Sequence, residues 1–407
     1  MKLPIKYHYS YFILPFVIEE KKHDKYIEKI FESNLFEYIT FSKKGNPDLF
    51  LNFSNDLTNS LLDQNSYKST TKAVKINKVK KQNLAIFEYK NKRDLVGILN
   101  LEKEDNAIEF NIQNINLYIF KNGICFLNIK TNIESKNFED VLDFNYRFRE
   151  IISDLNNIQK YQNIKIAESK YKSLEDFKSF IEKIICINLE DVSNYTNVDN
   201  FFTFAYTCLE NSVWNENTNK DVLTNIVQKY MKIYSSSYNT DISQIGANLQ
   251  TEYEFRKIGI TKTSSNLLCS GVDPYNFGYL PVEYETVYLL AYITALFYKI
   301  SLVFLEKRLK NLKENDFVTF KSILRELNTF NKDFWSIEVS NSQRLTRYFN
   351  SLIDGLNLNT LYLSLITRIN LIYKENKIEE NLVVKKNILF VLLILSIFIV
   401  LFKLYGW

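Results

Sequence analysis

The chain has 407 residues, of which 46% are hydrophobic, 15% aromatic and 24% charged, with 51 basic and 47 acidic side chains. That length predicts two or three domains with enough apolar surface for a core, so wholesale disorder is excluded. Nine Gly and five Pro exclude collagen-like and Gly-rich repeat proteins. A net charge of +4 is too small to indicate nucleic-acid binding, and two histidines argue against His-rich metal sites and His-based catalysis.

The first third of the sequence has the pattern of β-strands with one helix. Apolar spacing between Glu20 and Ser33 predicts that helix. The clearest local signal is a hairpin in which 117–120 and 124–130 flank an Asn-Gly turn, since Gly tolerates positive φ. We therefore predict an α+β fold, with a mixed cytoplasmic domain over 1–135. Runs rich in aromatic and β-branched residues predict further strands over 9–18, 36–41, 84–89, 96–101 and 108–112.

From Phe138 onward the apolar period becomes helical. We predict a helical region over 136–280 that closes with a loop at 273–278. Three long helical patterns then predict a stalk over 281–385, whose apolar seam is interrupted at Gly355. The helices predicted in the two regions cover 138–152, 174–185, 198–210, 221–234, 282–313, 315–331 and 336–380.

The C-terminal segment reads as a transmembrane helix over 386–407. Residues 388–402 carry no charge and are apolar on every helical face, and the helix reaches a spanning length if Lys403 extends to the interface. A helix buried in a large core is the alternative. Lys385 and Lys386 favour a cytoplasmic N-terminal side, and Tyr405 and Trp407 suit the opposite headgroup layer as membrane anchors.

The cellular location follows from the two ends of the sequence and its thiols. Pro4 and His8 lie in an N-terminal stretch that lacks the apolar run of a signal peptide. Four scattered cysteines without CxxC spacing are typical of reduced thiols and argue against a zinc site. We expect an inner-membrane protein with most of its chain in the cytoplasm and its C-terminus outside.

A second apolar stretch over 286–305 is also long enough to span a bilayer. Lys299 lies well inside it, and a lysine at membrane depth costs a few kcal/mol. Its central tyrosines also suit a protein core. We therefore favour a buried helix over a second span.

The sequence contains no recognisable catalytic or nucleotide-binding motif. We predict no catalytic residue, no metal site, no cofactor and no direct nucleic-acid contact. Lys78 and Lys80, in a lysine-rich segment, and Arg147 and Arg149 are candidate contacts for an anionic ligand. The plainer alternatives are a solvated loop or an edge strand for the lysines and surface ion pairs for the arginines.

The predicted tail helix carries one polar residue in its uncharged core. Ser396 and Lys403 are seven residues apart, so they lie near one line of the helix. In a ring of such helices this line would face a pore, whereas a serine bonded to its own helix is the alternative.

The order of these elements resembles the CorA-type divalent-cation channel superfamily. The hairpin over 117–127, followed by Phe-Glu-Asp-Val-Leu-Asp-Phe-Asn at 138–145, looks like a divergent CorA-like branch. Some members of that branch accompany type III CRISPR systems. Leu-Tyr-Leu-Ser-Leu-Ile at 361–366 is similar to the end of the CorA stalk, and Tyr405-Gly406 stands where the family has its Tyr-Gly-Met-Asn signature.

The sequence also departs from the superfamily. Trp407 replaces the Met of the signature, and neither the Asn nor a second membrane helix follows, so magnesium transport is not implied. For this branch the resemblance implies a homo-oligomeric antiviral effector. Its cytoplasmic domain would sense a nucleotide second messenger, an S-adenosylmethionine–AMP conjugate, and would then perturb the membrane.

Two functions remain open from the sequence. The first is an oligomeric, ligand-gated membrane effector with channel-like activity, which is not an enzyme. The second is a tail-anchored interaction or scaffold protein without pore activity. A membrane-tethered enzyme is disfavoured because no catalytic constellation is recognisable.

Overall fold

The computed structural model describes residues 3–65, 71–90, 95–100, 107–149, 164–167, 175–189, 201–238, 249–313, 316–335 and 338–374. The strands in these ranges are β1 (Ile5–Val17), β2 (Phe36–Tyr38), β3 (Leu84–Tyr89), β4 (Val96–Asn100), β5 (Ala107–Phe120), β6 (Ile124–Ile133), β7 (Ile164–Ala167), β8 (Glu175–Asp176), β9 (Phe202–Leu209), β10 (Leu249–Tyr253), β11 (Arg256–Ile260) and β12 (Ser264–Ser270). The helices are α1 (His23–Ser33), α2 (Pro47–Asn52), α3 (Asn55–Leu61), α4 (Lys72–Val79), α5 (Phe138–Arg149), α6 (Phe177–Ile185), α7 (Lys220–Lys232), α8 (Tyr275–Gly278), α9 (Leu280–Glu283), α10 (Leu289–Lys310), α11 (Phe317–Asp333), α12 (Gln343–Gly355) and α13 (358–374).

The described strands form one mixed sheet with β1 near its centre. The order is β10-β11-β12-β9-β1-β6-β5-β4-β7-β8, and β3 joins the second half of β5 and carries β2. β1 is antiparallel to both β6 and β9, whereas β9 and β12 run parallel. The predicted mixture of strands and helices, with a sheet-rich N-terminal part, is confirmed.

Helices cover both faces of the sheet, which makes three layers. One core lies beneath α2, α3 and the helices from α9 to α13. The other lies beneath α1, α5, α6 and α7. Because both faces are covered, β1 is buried from His8 to Val17 and reads as a nearly continuous apolar run.

One helix predicted in the second third is wrong, whereas those predicted over 138–152, 174–185 and 221–234 correspond to α5, α6 and α7. The helix predicted over 198–210 is strand β9, whose eight residues are all buried. A short buried apolar run has the same pattern in a strand and in a helix, which explains the error. The strands β10 to β12 also lie in the predicted helical region, and the predicted loop at 273–278 contains α8. The sheet therefore continues past the border predicted at residue 135.

Two further predictions differ from the structure. The lysine-rich segment, predicted as a loop or an edge strand, forms α4. The helix predicted over 336–380 is broken between α12 and α13, where Asn357 has a φ of 58°. Asn tolerates this left-handed conformation better than most residues. The predicted long helices 282–313 and 315–331 correspond to α9–α10 and α11, which pack on the sheet core.

One described helical run, Leu280–Lys310, has the length and mean hydropathy (1.8) of a membrane span. Of its most apolar window, 83% is buried inside the protein. Phe297 stacks on Phe120 of β5 with ring centroids 3.8 Å apart. This placement is that of a core helix and agrees with the interpretation favoured from Lys299.

The start of this run is tied to its surroundings by two carboxylates, of which Glu283 is buried and Glu285 partly buried. Glu285 accepts a hydrogen bond from Tyr11 Oη (2.7 Å) and pairs with Lys130 Nζ (2.7 Å), which joins it to β1 and β6. Glu283 accepts from Tyr275 Oη (2.7 Å) and from Arg344 Nη2 (2.7 Å) of α12. Tyr284–Tyr288, which include Glu285, form a short π-helix, a local form that is rare in proteins.

His8 should make the stability of the protein depend on pH. Neither ring nitrogen has a partner in the described chain, and burial lowers the pKa of His8 to about 4. Between pH 6.5 and 4 the unfolded chain binds a proton that the folded chain excludes, so stability falls as the pH falls. Over this range the free energy of unfolding should fall by about 3 kcal/mol.

Urea unfolding of the wild type and of His8→Leu, measured between pH 4 and 8, checks this expectation. The substitution should make the free energy of unfolding depend less steeply on pH over this range. The titration of carboxylates below pH 5 affects both proteins equally. Parallel pH profiles would show that His8 does not contribute.

Candidate functional site

The four cationic residues predicted as ligand contacts lie on two different helices. Lys78 and Lys80 are at the end of α4, where Lys80 Nζ lies 2.6 Å from Glu28 Oε1 of α1. Arg147 and Arg149 are in the last turn of α5. None of the four lines the cavity described below.

The other predicted site residues fall in the C-terminal segment. The predicted membrane anchors and pore-facing residues lie outside the described residues: Lys385, Lys386, Ser396, Lys403, Tyr405 and Trp407.

A groove of about 720 Å³ lies between α7 and β11 and is called the α7–β11 groove. Helix α7 forms because apolar residues recur at helical spacing and the Asn219 side chain caps its first turn by accepting from Asp221 N. Strand β11 pairs with β12 on one side and with β10 on the other. The volume is in the range of small-molecule binding sites.

One end of the groove is aromatic. Trp214 and Phe255 come just before α7 and β11, and their ring centroids are 6.2 Å apart. Trp214 is only 2% exposed, so its ring forms a fixed wall. At the other end, a Cβ added to Gly259 of β11 would lie 2.3 Å from Met231 Cγ of α7. Glycine is therefore needed there for the helix to approach the strand closely.

Four lysines and two glutamates give the groove an excess of positive charge. Lys257 is on β11, and burial lowers the pKa of its ammonium group. An anion beside this group would favour its charged form and offset that desolvation. The charged lining residues are Lys220, Lys232, Lys257, Lys262, Glu216 and Glu254.

A buried amide provides a specific polar contact. Gln228 of α7 lines the groove and is 7% exposed, and its Nε2 has no hydrogen-bond partner in the described chain. A buried donor without a partner costs about 1–3 kcal/mol. A ligand that accepts a hydrogen bond here would remove that cost.

The groove ends at the turn between α12 and α13. Gly355 and Asn357 line it there, beyond Thr261 and Lys262, which follow β11. A Cβ added to Gly355 would lie 2.4 Å from Ile260 Cγ2, so α12 rests directly on the end of β11. The groove therefore touches the sheet, α7 and the start of the last described helix.

The residues of this site form no recognisable motif along the chain. Gln228 is an ordinary polar residue of an amphipathic helix, and the lining comes from segments more than 100 residues apart. Two features of the sequence do belong to the site: Trp214, which is one of three tryptophans, and the charged segment Glu254–Lys257. Among the described residues, no group of three or more His, Cys, Asp or Glu side chains could hold a metal ion.

Comparisons with protein-family models, with curated proteins and with solved structures find no match for this chain.

Proposed function

We propose that the chain is a membrane-tethered effector that binds an anionic nucleotide in the α7–β11 groove and acts on the membrane as a homo-oligomer. One observation carries the ligand half of this proposal. The groove combines an aromatic wall at Trp214, four lysines and the Gln228 amide nitrogen, which has no hydrogen-bond partner among the described residues.

These three features suit the three parts of a nucleotide. The flat base has an apolar face that packs on aromatic side chains and a polar edge that pairs with amide groups. The phosphate suits lysine ammonium groups, which act as point charges. Four lysines against two glutamates give the lining a net positive charge, which an anion complements and a neutral apolar ligand does not, so the charge distribution favours an anion.

The membrane half of the proposal is supported by the sequence. The uncharged residues 388–402 follow Lys385 and Lys386, and the resemblance to CorA-like proteins adds an oligomeric, pore-forming arrangement. A single helix encloses no pathway, so ion leakage requires several copies.

Ligand binding is tested with the full-length protein in detergent, with Trp335 and Trp407 replaced by phenylalanine. Trp214 is then the only tryptophan and reports directly on the groove. AMP, ATP and the S-adenosylmethionine–AMP conjugate are titrated by fluorescence and by calorimetry, with adenosine as the neutral control. We expect saturable binding of at least one anion, tighter than that of adenosine. Absence of heat and of fluorescence change with all three would overturn the proposal.

Membrane action is tested with the same protein in liposomes. We expect ion flux that rises when the bound nucleotide is added and that disappears when residues after 386 are deleted. Nucleotide binding without flux would instead favour the alternative, a tail-anchored scaffold whose partner contacts survive the deletion.

A further inference from the structure

The lysine end of the α7–β11 groove is closed by the turn between α12 and α13. Lys232 ends α7, Lys262 follows β11, and Asn357 stands in the turn. Lys299 Nζ donates to the Lys262 carbonyl oxygen (2.5 Å), so another cation lies beside this end. Positive charge is therefore concentrated where the groove meets the last described helix.

The turn has two buried leucines on its core side and one solvent-exposed residue on the other side. Leu356 and Leu358 are buried in the core, and Gly355 lies against Ile260. Asn357, between the two leucines, is exposed and has a φ of 58°. Asn357 is thus the exposed residue of the turn that lines the groove.

Helix α13 is held less firmly than α12. It buries Leu365 and Ile369, whereas Leu363 is 64% and Leu371 55% exposed. Its Tyr362 stacks on Trp335, with ring centroids 5.1 Å apart, and accepts a hydrogen bond from Asn331 Nδ2 of α11 (3.2 Å). A change in the angle of α13 would therefore alter this contact with α11. Along the chain, α13 leads to the apolar residues 388–402.

We propose that an anion held between Lys232 and Lys262 also engages the Asn357 side chain and thereby sets the angle between α12 and α13. The inference rests on the proposed function, because it requires an anionic ligand in this groove. For ligand binding to change the helix angle, the ligand must bind one orientation of the turn better than another. The Asn357 amide supplies that difference, since its position relative to the lysines changes with the turn.

Labels on exposed residues of α11 and α13 measure the angle. Cys186 is replaced by serine, and spin labels are attached at Lys321→Cys and Asn370→Cys in the full-length protein; the other three cysteines are buried. On addition of AMP, ATP or the S-adenosylmethionine–AMP conjugate we expect the distance peak to move by about 5 Å, the scale of one helical turn. Adenosine, which lacks the anionic end, should leave the peak in place.

A pair of matched substitutions separates the turn from general helix loosening. Asn357→Gly keeps the left-handed backbone but removes the amide, so the distance shift should disappear while nucleotide affinity falls less than tenfold. Asn359→Gly makes the same exchange at an exposed position in the first turn of α13 and should keep the shift.

The outcomes distinguish the two proposals. Binding without a distance change in the wild type, or a shift that survives in Asn357→Gly, overturns the coupling alone. No binding of any of the three nucleotides overturns the proposed function, and the coupling with it.

Discussion

Replacing Arg344 by methionine should lower the free energy of unfolding by about 3 kcal/mol. Glu283 is 4% exposed, and among the described residues its carboxylate has Arg344 and Tyr275 as hydrogen-bond partners. The substitution leaves a buried charge that only a neutral tyrosine compensates. Urea unfolding in detergent measures the loss.

A double substitution tests the reason for this loss. Glu283→Gln in the Arg344→Met background removes the unpaired charge and should restore part of the lost stability. Tyr275→Phe alone should cost only about 1.5 kcal/mol, because it removes one hydrogen bond to the carboxylate and leaves the ion pair. A loss below 1 kcal/mol for Arg344→Met would show that water already solvates Glu283.

Replacing both Lys232 and Lys257 by glutamine should weaken nucleotide binding by at least about 100-fold. Each lysine lines the groove, and a hydrogen bond to a charged group contributes about 1.5–3 kcal/mol. Exchange to glutamine keeps most of the side-chain length, so the fold should be retained. Fluorescence of Trp214 and calorimetry give the affinity.

The matched control replaces Lys78 and Lys80 by glutamine. These lysines were the candidates from the sequence, but they lie on α4 and do not line the groove. The same change of charge at this position should alter the affinity by less than threefold. A large loss in the control and none in the groove variant would move the binding site to α4.

Local signals predicted the parts of the fold that depend on local chemistry. Gly123 has a φ of 88° in the turn between β5 and β6, as the Asn-Gly dipeptide indicates. The first strands and α1 were recognised for the same reason. β9 was misread as a helix because both of its faces are buried. β12 was not predicted, because serine and asparagine fill a strand whose neighbours supply the apolar contacts.

The candidate site could not be predicted because none of its parts is informative alone. Gly259 permits the approach of Met231, and Gly355 that of Ile260, but a glycine in the sequence does not reveal its partner. Gln228 stands out only in the folded structure, where its buried amide nitrogen has no partner within the described ranges. Such features arise from the tertiary arrangement of α7, β11 and α12.

The central place of β1 also sets the order of events on the ribosome. Its partner β9 ends about 190 residues later, which corresponds to roughly 10–40 s of synthesis at ordinary rates. During that interval β1 has an unpaired edge, so nascent chains are exposed to mispairing and to chaperone binding. The apolar residues 388–402 follow every described strand along the chain, so the sheet can close before they are synthesised.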